Sequence, residues 1–178
     1  MLKKNLKKNP RILVIGDVML DTFILGKYLG KSPEGPIPKI KKIKEYSTGG
    51  GAALVAQCVK KIGGIPFMIG GIGQDNAANK LKSCIKKINI KNFFLENLNS
   101  ITTNKIRIFS DYKSILRLDN EKIFKISKND NIKLKKKIIG KIKTSDVVVI
   151  SDYGKGFCSN IILNLIISNT NKLNIPLI

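Results

Sequence analysis

Two short, uninterrupted apolar runs constrain this chain most: Ile12-Leu13-Val14-Ile15, ending in Gly16-Asp17, and Val147-Val148-Val149-Ile150, ending in Ser151-Asp152. A strand that is apolar at every position is buried on both faces, the condition of a parallel strand covered by helices. Between the two runs, helical and strand patterns alternate. A helix is expected from 52 to 62 behind Gly49-Gly50-Gly51, a strand over 66–69, a helix over 76–88 and a strand over 93–95. Strands over 105–109 and 115–118 flank a hairpin turn at 110–113, and a Lys-rich helix over 129–142 precedes the second run. A helix then leads to an apolar strand at 175–178. This alternation predicts an α/β domain with a doubly wound sheet.

One stretch departs from the pattern. Residues about 22–46 carry Phe23-Ile24-Leu25, the Pro-rich Ser32-Pro33-Glu34-Gly35-Pro36-Ile37-Pro38 and an alternating Ile40-Lys41-Lys42-Ile43. These features favour extended, edge-like strands and predict a small β-strand flap inserted after the first strand. The chain stops on an apolar strand with no covering helix after it, so the expectation is a domain that lacks its C-terminal half. Residues 1–10 form a basic N-terminal tail and 11–178 the partial domain. No run is long enough for a signal h-region or a membrane span, which makes a cytoplasmic location the expectation.

Composition removes several chemistries. There is no His, which excludes Ser-His-Asp triads and His-bearing zinc sites. Cys58, Cys84 and Cys158 have no CxxC spacing and read as reduced, buried thiols. The formal net charge of +21 invites a nucleic-acid reading, yet only Arg11, Arg107 and Arg117 are Arg and no aromatic residue interleaves a basic run. The even spread of Lys reads as a bias of the whole chain that also supplies an anion-attracting field.

Asp17, Asp21 and Asp152 stand at the ends of two strands on one sheet edge, where carboxylates can accept hydrogen bonds from sugar hydroxyls. Asp75 is either such a residue or the cap of the helix after it. The triple glycine at 49–51 permits close backbone approach at a helix N-terminus. It is not a Walker A loop, because no Gly-Lys-Ser/Thr follows, and Gly71-Ile72-Gly73-Gln74-Asp75 lacks the third Gly of a dinucleotide fingerprint. Lys155, between Gly154 and Gly156, is either a solvated loop residue or a point charge for a phosphate.

The segments Gly16-Asp17-Val18-Met19-Leu20-Asp21, Ser32-Pro33-Glu34-Gly35-Pro36-Ile37-Pro38, Gly50-Gly51-Ala52-Ala53, Gly71-Ile72-Gly73-Gln74-Asp75, Leu116-Arg117-Leu118-Asp119 and Ser151-Asp152-Tyr153-Gly154-Lys155-Gly156 together resemble the ribokinase (PfkB) family of carbohydrate kinases. The resemblance runs from about residue 11 to 178. Its first two segments are similar to the heptose 7-phosphate kinase branch of lipopolysaccharide core synthesis. It implies a ribokinase-like fold with the flap as lid and dimer contact. It also implies transfer of the γ-phosphoryl of ATP, with Mg²⁺, to the anomeric hydroxyl of a sugar 7-phosphate. Asp21 would bind sugar hydroxyls, and Gly50 and Gly51 would shape the sugar pocket. Lys105, Arg107 and Lys155 are assigned to the substrate phosphate by charge and position. The sequence departs from the family in two places. Leu54 stands where the resemblance implies an Asn that contacts the sugar, and no Gly-Ala-Gly-Asp segment, which would supply the catalytic base and nucleotide loops, is present. A separate C-terminal half is therefore an expected partner; an inactive remnant is the alternative, and a nucleic-acid-binding protein a weaker one.

Overall fold

The computed structural model describes residues 8–111 and 113–178. Most of the basic tail (residues 1–7) and Tyr112 of the expected hairpin turn lie outside them. The elements in chain order are β1 (Arg11–Gly16), β2 (Val18–Lys31), β3 (Pro38–Gly51), α1 (Ala52–Lys61), β4 (Ile65–Ile72), α2 (Asn76–Lys87), β5 (Lys91–Glu96), β6 (Asn104–Ser110), β7 (Lys113–Asn120), α3 (Lys128–Ile142), β8 (Val147–Ser151) and α4 (Asn160–Lys172).

Two four-stranded sheets result. The first has the order β5-β4-β1-β8 with every pairing parallel. Its strands bury both faces, and the period of two sorts them. Leu13 and Ile15 of β1 point into one apolar cluster with Leu134, Ile138 and Ile142 of α3 and Ile162 and Ile166 of α4. Val14 points to the other side, with Ala52, Ala53 and Ala56 of α1 and Leu81 and Ile85 of α2. Helices α1 and α2 thus cover one face and α3 and α4 the other, the doubly wound arrangement that the alternation predicts. Each fully buried Leu or Ile side chain contributes about 1.5–3 kcal/mol relative to exposure. The 3.6-residue period of α3, with Leu134, Ile138 and Ile142 all fully buried, turns its apolar stripe to the sheet and leaves Lys133 and Lys136 to solvent, while Lys137 lies over the Phe67 and Phe93 rings and Lys141 over Phe67.

The second sheet, of order β3-β2-β6-β7, is the flap. Its strands reach further than the extended stretch seen in the sequence, because β2 starts immediately after Asp17 and β3 continues to Gly51. It also has more strands. The central pairing is parallel, β2 on β6 with Asp21 opposite Lys105 and Phe23 opposite Arg107, while β3 and β7 close the sides antiparallel. The hairpin strands β6 and β7 are therefore part of the flap, a long-range pairing that local patterning does not carry. Thr22, buried, donates to Asn104 Oδ1 at 2.9 Å and lies 3.2 Å from Ser47 Oγ, tying three strands together at the flap's root.

Two details refine the expectation. The terminal apolar segment forms only the beginning of a strand: Leu177 lies opposite Val148 in parallel register, with bonds from Val148 N–H to the Pro176 carbonyl (2.9 Å), Ile178 N–H to the Val148 carbonyl (3.0 Å) and Ile150 N–H to the Ile178 carbonyl (2.9 Å). Cys58 is exposed on α1, Cys84 half-buried and Cys158 buried, so only one of three free thiols is a core residue. Burial, with Asp17 and Asp152 nearby, pushes the Cys158 thiol up to about 12.

Candidate functional site

In the first sheet β4 and β5 lie on one side of β1 and β8 on the other, so the order of winding reverses between β1 and β8. Ligands of open α/β sheets sit outside the carboxyl ends of the strands at such a reversal. The register puts Gly16 opposite Ser151, which brings Asp17 and the loop after β8 side by side. The flap root crosses the same place, because β2 and β3 enter and leave the core there.

Asp17 is almost fully buried, with 3% of its surface exposed. Its Oδ2 accepts the backbone N–H groups of Tyr153 (2.8 Å) and Lys155 (3.0 Å), and its Oδ1 that of Phe157 (3.2 Å). The carboxylate therefore folds the 153–157 loop and, through it, aims Lys155. Its carbonyl accepts the N–H of Ala52 at 2.9 Å and so fixes the start of α1 as well. Asp152, exposed, closes a local turn by accepting the Gly154 N–H at 2.8 Å. Asp75 is the cap of α2: its Oδ1 accepts from Ala78 and its Oδ2 from Thr102, both at 2.7 Å.

Asp21 belongs to the flap root and is half-buried. Its Oδ1 accepts from Arg107 Nη1 at 2.7 Å, and the Arg107 guanidinium lies 5.5 Å from the Phe23 ring centroid, held between a carboxylate and an aromatic face. Phe23 in turn stacks on Tyr46, with centroids 5.0 Å apart. Gly50 is pressed against Asp21: a Cβ there would fall within contact distance of both carboxylate oxygens. Gly51 has φ +56°, a left-handed conformation that a side chain would strain, and it turns the strand into α1. Both glycines are buried and bring the flap root onto the helix start.

The lysines converge too. Lys105 Nζ lies 3.1 Å from Asp119 and 3.3 Å from Glu121, and Lys155 Nζ 2.7 Å from the other oxygen of Glu121. Arg117 holds Asp119 with two parallel bonds of 2.8 and 2.9 Å. That fork, with help from Lys105, keeps the Asp119 carboxyl down at about 2, and Lys155, followed by Lys105, holds Glu121 below the usual carboxylate range. A narrow cleft beneath this network is lined by Asp17, Val18, Thr103, Lys122 and Lys155. Asp21, Gly50, Lys105, Arg107 and Lys155 thus stand around the seam of the two sheets, with Asp17 below them. Sequence reasoning missed Glu121 and Asp119 as members of the cluster. The Leu-Arg-Leu-Asp segment was a signal for the second but assigned it no partner.

A parallel sheet wound both ways, with a β flap over its switch point and a polar cluster at the seam, defines a ribokinase-like α/β fold. A possible 1-phosphofructokinase from Thermotoga maritima is similar to it with a TM-score of 0.72 at 18% identity, over 94% of this chain and 52% of that one. Phosphofructokinase-2 from Escherichia coli in complex with fructose-6-phosphate is similar with a TM-score of 0.65 at 17% identity, over 96% of this chain and 54% of that one. Residues 9–168 match the pfkB family carbohydrate kinase, and the chain belongs to that family. Among its curated relatives, the bifunctional protein HldE of Aliarcobacter butzleri is 36% identical over 175 residues, 97% of this chain and 37% of that protein. The bifunctional protein HldE of Shewanella baltica is 36% identical over 149 residues, 84% of this chain and 31% of that protein. The chain spans about a third of the length of these relatives.

Proposed function

We propose that this chain is the sugar-binding half of a carbohydrate kinase that phosphorylates heptose 7-phosphate at the anomeric hydroxyl with ATP, in the synthesis of lipopolysaccharide core precursors. The observation that carries the reading is the seam cluster. An acceptor, Asp21, is clamped by Arg107 and backed by Gly50, and two lysines from separate elements meet a few residues away. An acceptor for hydroxyls beside paired cations is the chemistry a sugar phosphate requires. In this reading Asp21 accepts sugar hydroxyl protons, Gly50 and Gly51 let the ring approach the backbone, Lys105, Arg107 and Lys155 face the phosphate, and Asp152 rims the site. Asp17 acts from below, by holding the loop that carries Lys155. The relatives named HldE support a heptose as the sugar.

The described residues form no metal-ion cage of their own. Among them no three or more Asp, Glu or Cys side chains converge to hold a metal ion, and the Gly30-Lys31-Ser32 tripeptide at the outer end of β2 has Leu25 where a Walker A loop needs its first Gly. ATP and Mg²⁺ therefore enter the reading through the family alone. The reading includes a separate C-terminal kinase half that supplies the nucleotide seat and the base, a homodimer through the flap, and a cytoplasmic location. Among the described residues no helix is long and apolar enough to cross a membrane.

Leu54 favours a second reading, an inactive remnant. It stands in the first turn of α1, 48% exposed, where the resemblance implies an amide hydrogen-bonded to sugar. Thermal unfolding with and without heptose 7-phosphate separates the two. A ligand at about 100 times its dissociation constant adds roughly 2.7 kcal/mol to the folded state, a rise in Tm of roughly 5–10 °C for a chain of this size. A cooperative transition that ignores the sugar phosphate refutes the first reading and leaves the second.

A further inference from the structure

The ion pairs at the seam are not equivalent. Asp21 is occupied by Arg107, and Asp119 by the two-pronged grip of Arg117. Glu121 has no Arg. It is held by lysines alone, Lys105 from the flap and Lys155 from the loop after β8, one on each carboxylate oxygen. Lys105 is the more enclosed of the two, with 12% of its side chain exposed against 24% for Lys155. Glu121 also sits one residue beyond the end of β7, where the flap returns to the core. Its carboxylate is the side-chain bridge from this return to the 153–157 loop; the adjacent main-chain tie runs from Phe124 N–H to the Lys155 carbonyl at 2.7 Å.

Resting on the reading of the seam as a sugar-phosphate site, we propose that Glu121 is a specificity-determining residue: its carboxylate is the internal anion that Lys105 and Lys155 hold until the phosphate of the ligand takes its place. A phosphate monoester brings close to two negative charges and three acceptor oxygens, against one charge and two oxygens on Glu121. It can therefore satisfy both ammonium groups more fully than the residue it displaces. A sugar without phosphate brings no anion, so the lysines stay on Glu121 and the flap return stays tied to the loop. Selection for a phosphorylated sugar then rests on an exchange of anions rather than on an empty pocket of positive charge. The exchange frees a side chain where the flap returns to the core.

The test is isothermal titration of the 178-residue chain at one low ionic strength with three probes: inorganic phosphate, heptose 7-phosphate and heptose. Glu121→Gln removes the competitor and keeps the shape. It is expected to tighten inorganic phosphate and heptose 7-phosphate by about three- to tenfold, the size of a partly screened charge–charge contact at this exposure, and to leave heptose unchanged. Lys155→Met is expected to abolish that gain when combined with Glu121→Gln. The proposal is overturned if Glu121→Gln weakens or does not alter phosphate binding, if neither form binds inorganic phosphate, or if the gain persists in the double variant. Failure of the wild-type chain to bind heptose and heptose 7-phosphate, with the phosphate gain intact, refutes the sugar reading alone.

Discussion

Asp17→Asn isolates the role of one buried carboxylate, because the substitution keeps the shape and opens no cavity. Asp17 accepts three main-chain N–H groups, two on Oδ2 and one on Oδ1. An Asn can keep the two bonds to Tyr153 and Lys155 only by turning its NH₂ toward the N–H of Phe157, a residue 1% exposed. One bond is then lost and a buried donor is left facing another donor, at about 1–3 kcal/mol. The two remaining bonds change from charge-assisted to neutral, at about 1 kcal/mol each. Relief from burying a charge offsets part of this. The expected loss is about 2–4 kcal/mol, or roughly 5–15 °C in Tm for a chain of this length. The chain has no Trp, so urea unfolding is best followed by far-ultraviolet circular dichroism. Amide exchange supplies the local readout, with the Tyr153, Lys155 and Phe157 amides expected to exchange faster in the variant. A loss below about 0.5 kcal/mol, the size of an ordinary surface substitution, with exchange unchanged at those amides, would refute the assignment of Asp17 as the clamp of the loop.

Two further outcomes follow from the same geometry. Leu54→Asn exchanges an exposed helix residue at a cost of about 0.5 kcal/mol in helix propensity, and on the proposed function it tightens heptose 7-phosphate at least tenfold by calorimetry. Unchanged or weaker affinity would remove Leu54 as an obstacle to sugar binding. The Asp119 carboxyl is held at about 2, below its unperturbed 3.8, by Arg117 first and then by Lys105. A lowered folded-state value gives stability that is complete above the unfolded value and lost as pH falls through the folded one. The urea midpoint of the wild type should therefore fall more steeply than that of Asp119→Asn between about pH 4 and 2, and parallel curves for the two proteins over that window would show that the fork contributes nothing.

The parallel, doubly wound character of the first sheet was legible from burial. The runs at Ile12-Leu13-Val14-Ile15 and Val147-Val148-Val149-Ile150 have no polar face, the pattern of interior parallel strands, and the carboxylates at their ends fall where the winding reverses. The alternation of Lys105, Ile106, Arg107 and Ile108 announced a strand but could not name its neighbour. The β2–β6 pairing joins residues more than 80 positions apart and depends on the course of everything between them. The functions of the acids were legible only in part. Asp17 and Asp21 occur in one short segment and look alike as sequence, yet one is turned into the core onto main-chain donors and the other onto an Arg of the flap. Glu121 gave no signal, since an acid after an Asp-Asn pair fits any loop. Its meaning comes from two lysines brought to it by different elements. The expected beginning of a strand at 175–178 was legible from its apolar residues, and Pro176 and Ile178 hydrogen-bond in parallel register along β8 from Val148 to Ile150.

The unbroken length of β2 makes the flap a lever with its fulcrum at the seam of the two sheets. The strand runs for 14 residues from Val18 to Lys31, roughly 43 Å at the usual rise, and Asp21 is only about 10 Å from its root. A tilt of about 5° about Val18 carries the tip about 4 Å and Asp21 less than about 1 Å, given those lengths. The register shifts between Leu25 and Gly26, and again between Tyr28 and Lys31, add compliance on the far side of Asp21, none of it between Asp21 and the root. Large excursions of the outer flap are thus geometrically separated from the carboxylate near its base. The rim can sweep open and shut over the seam while the acceptor at its pivot keeps its place.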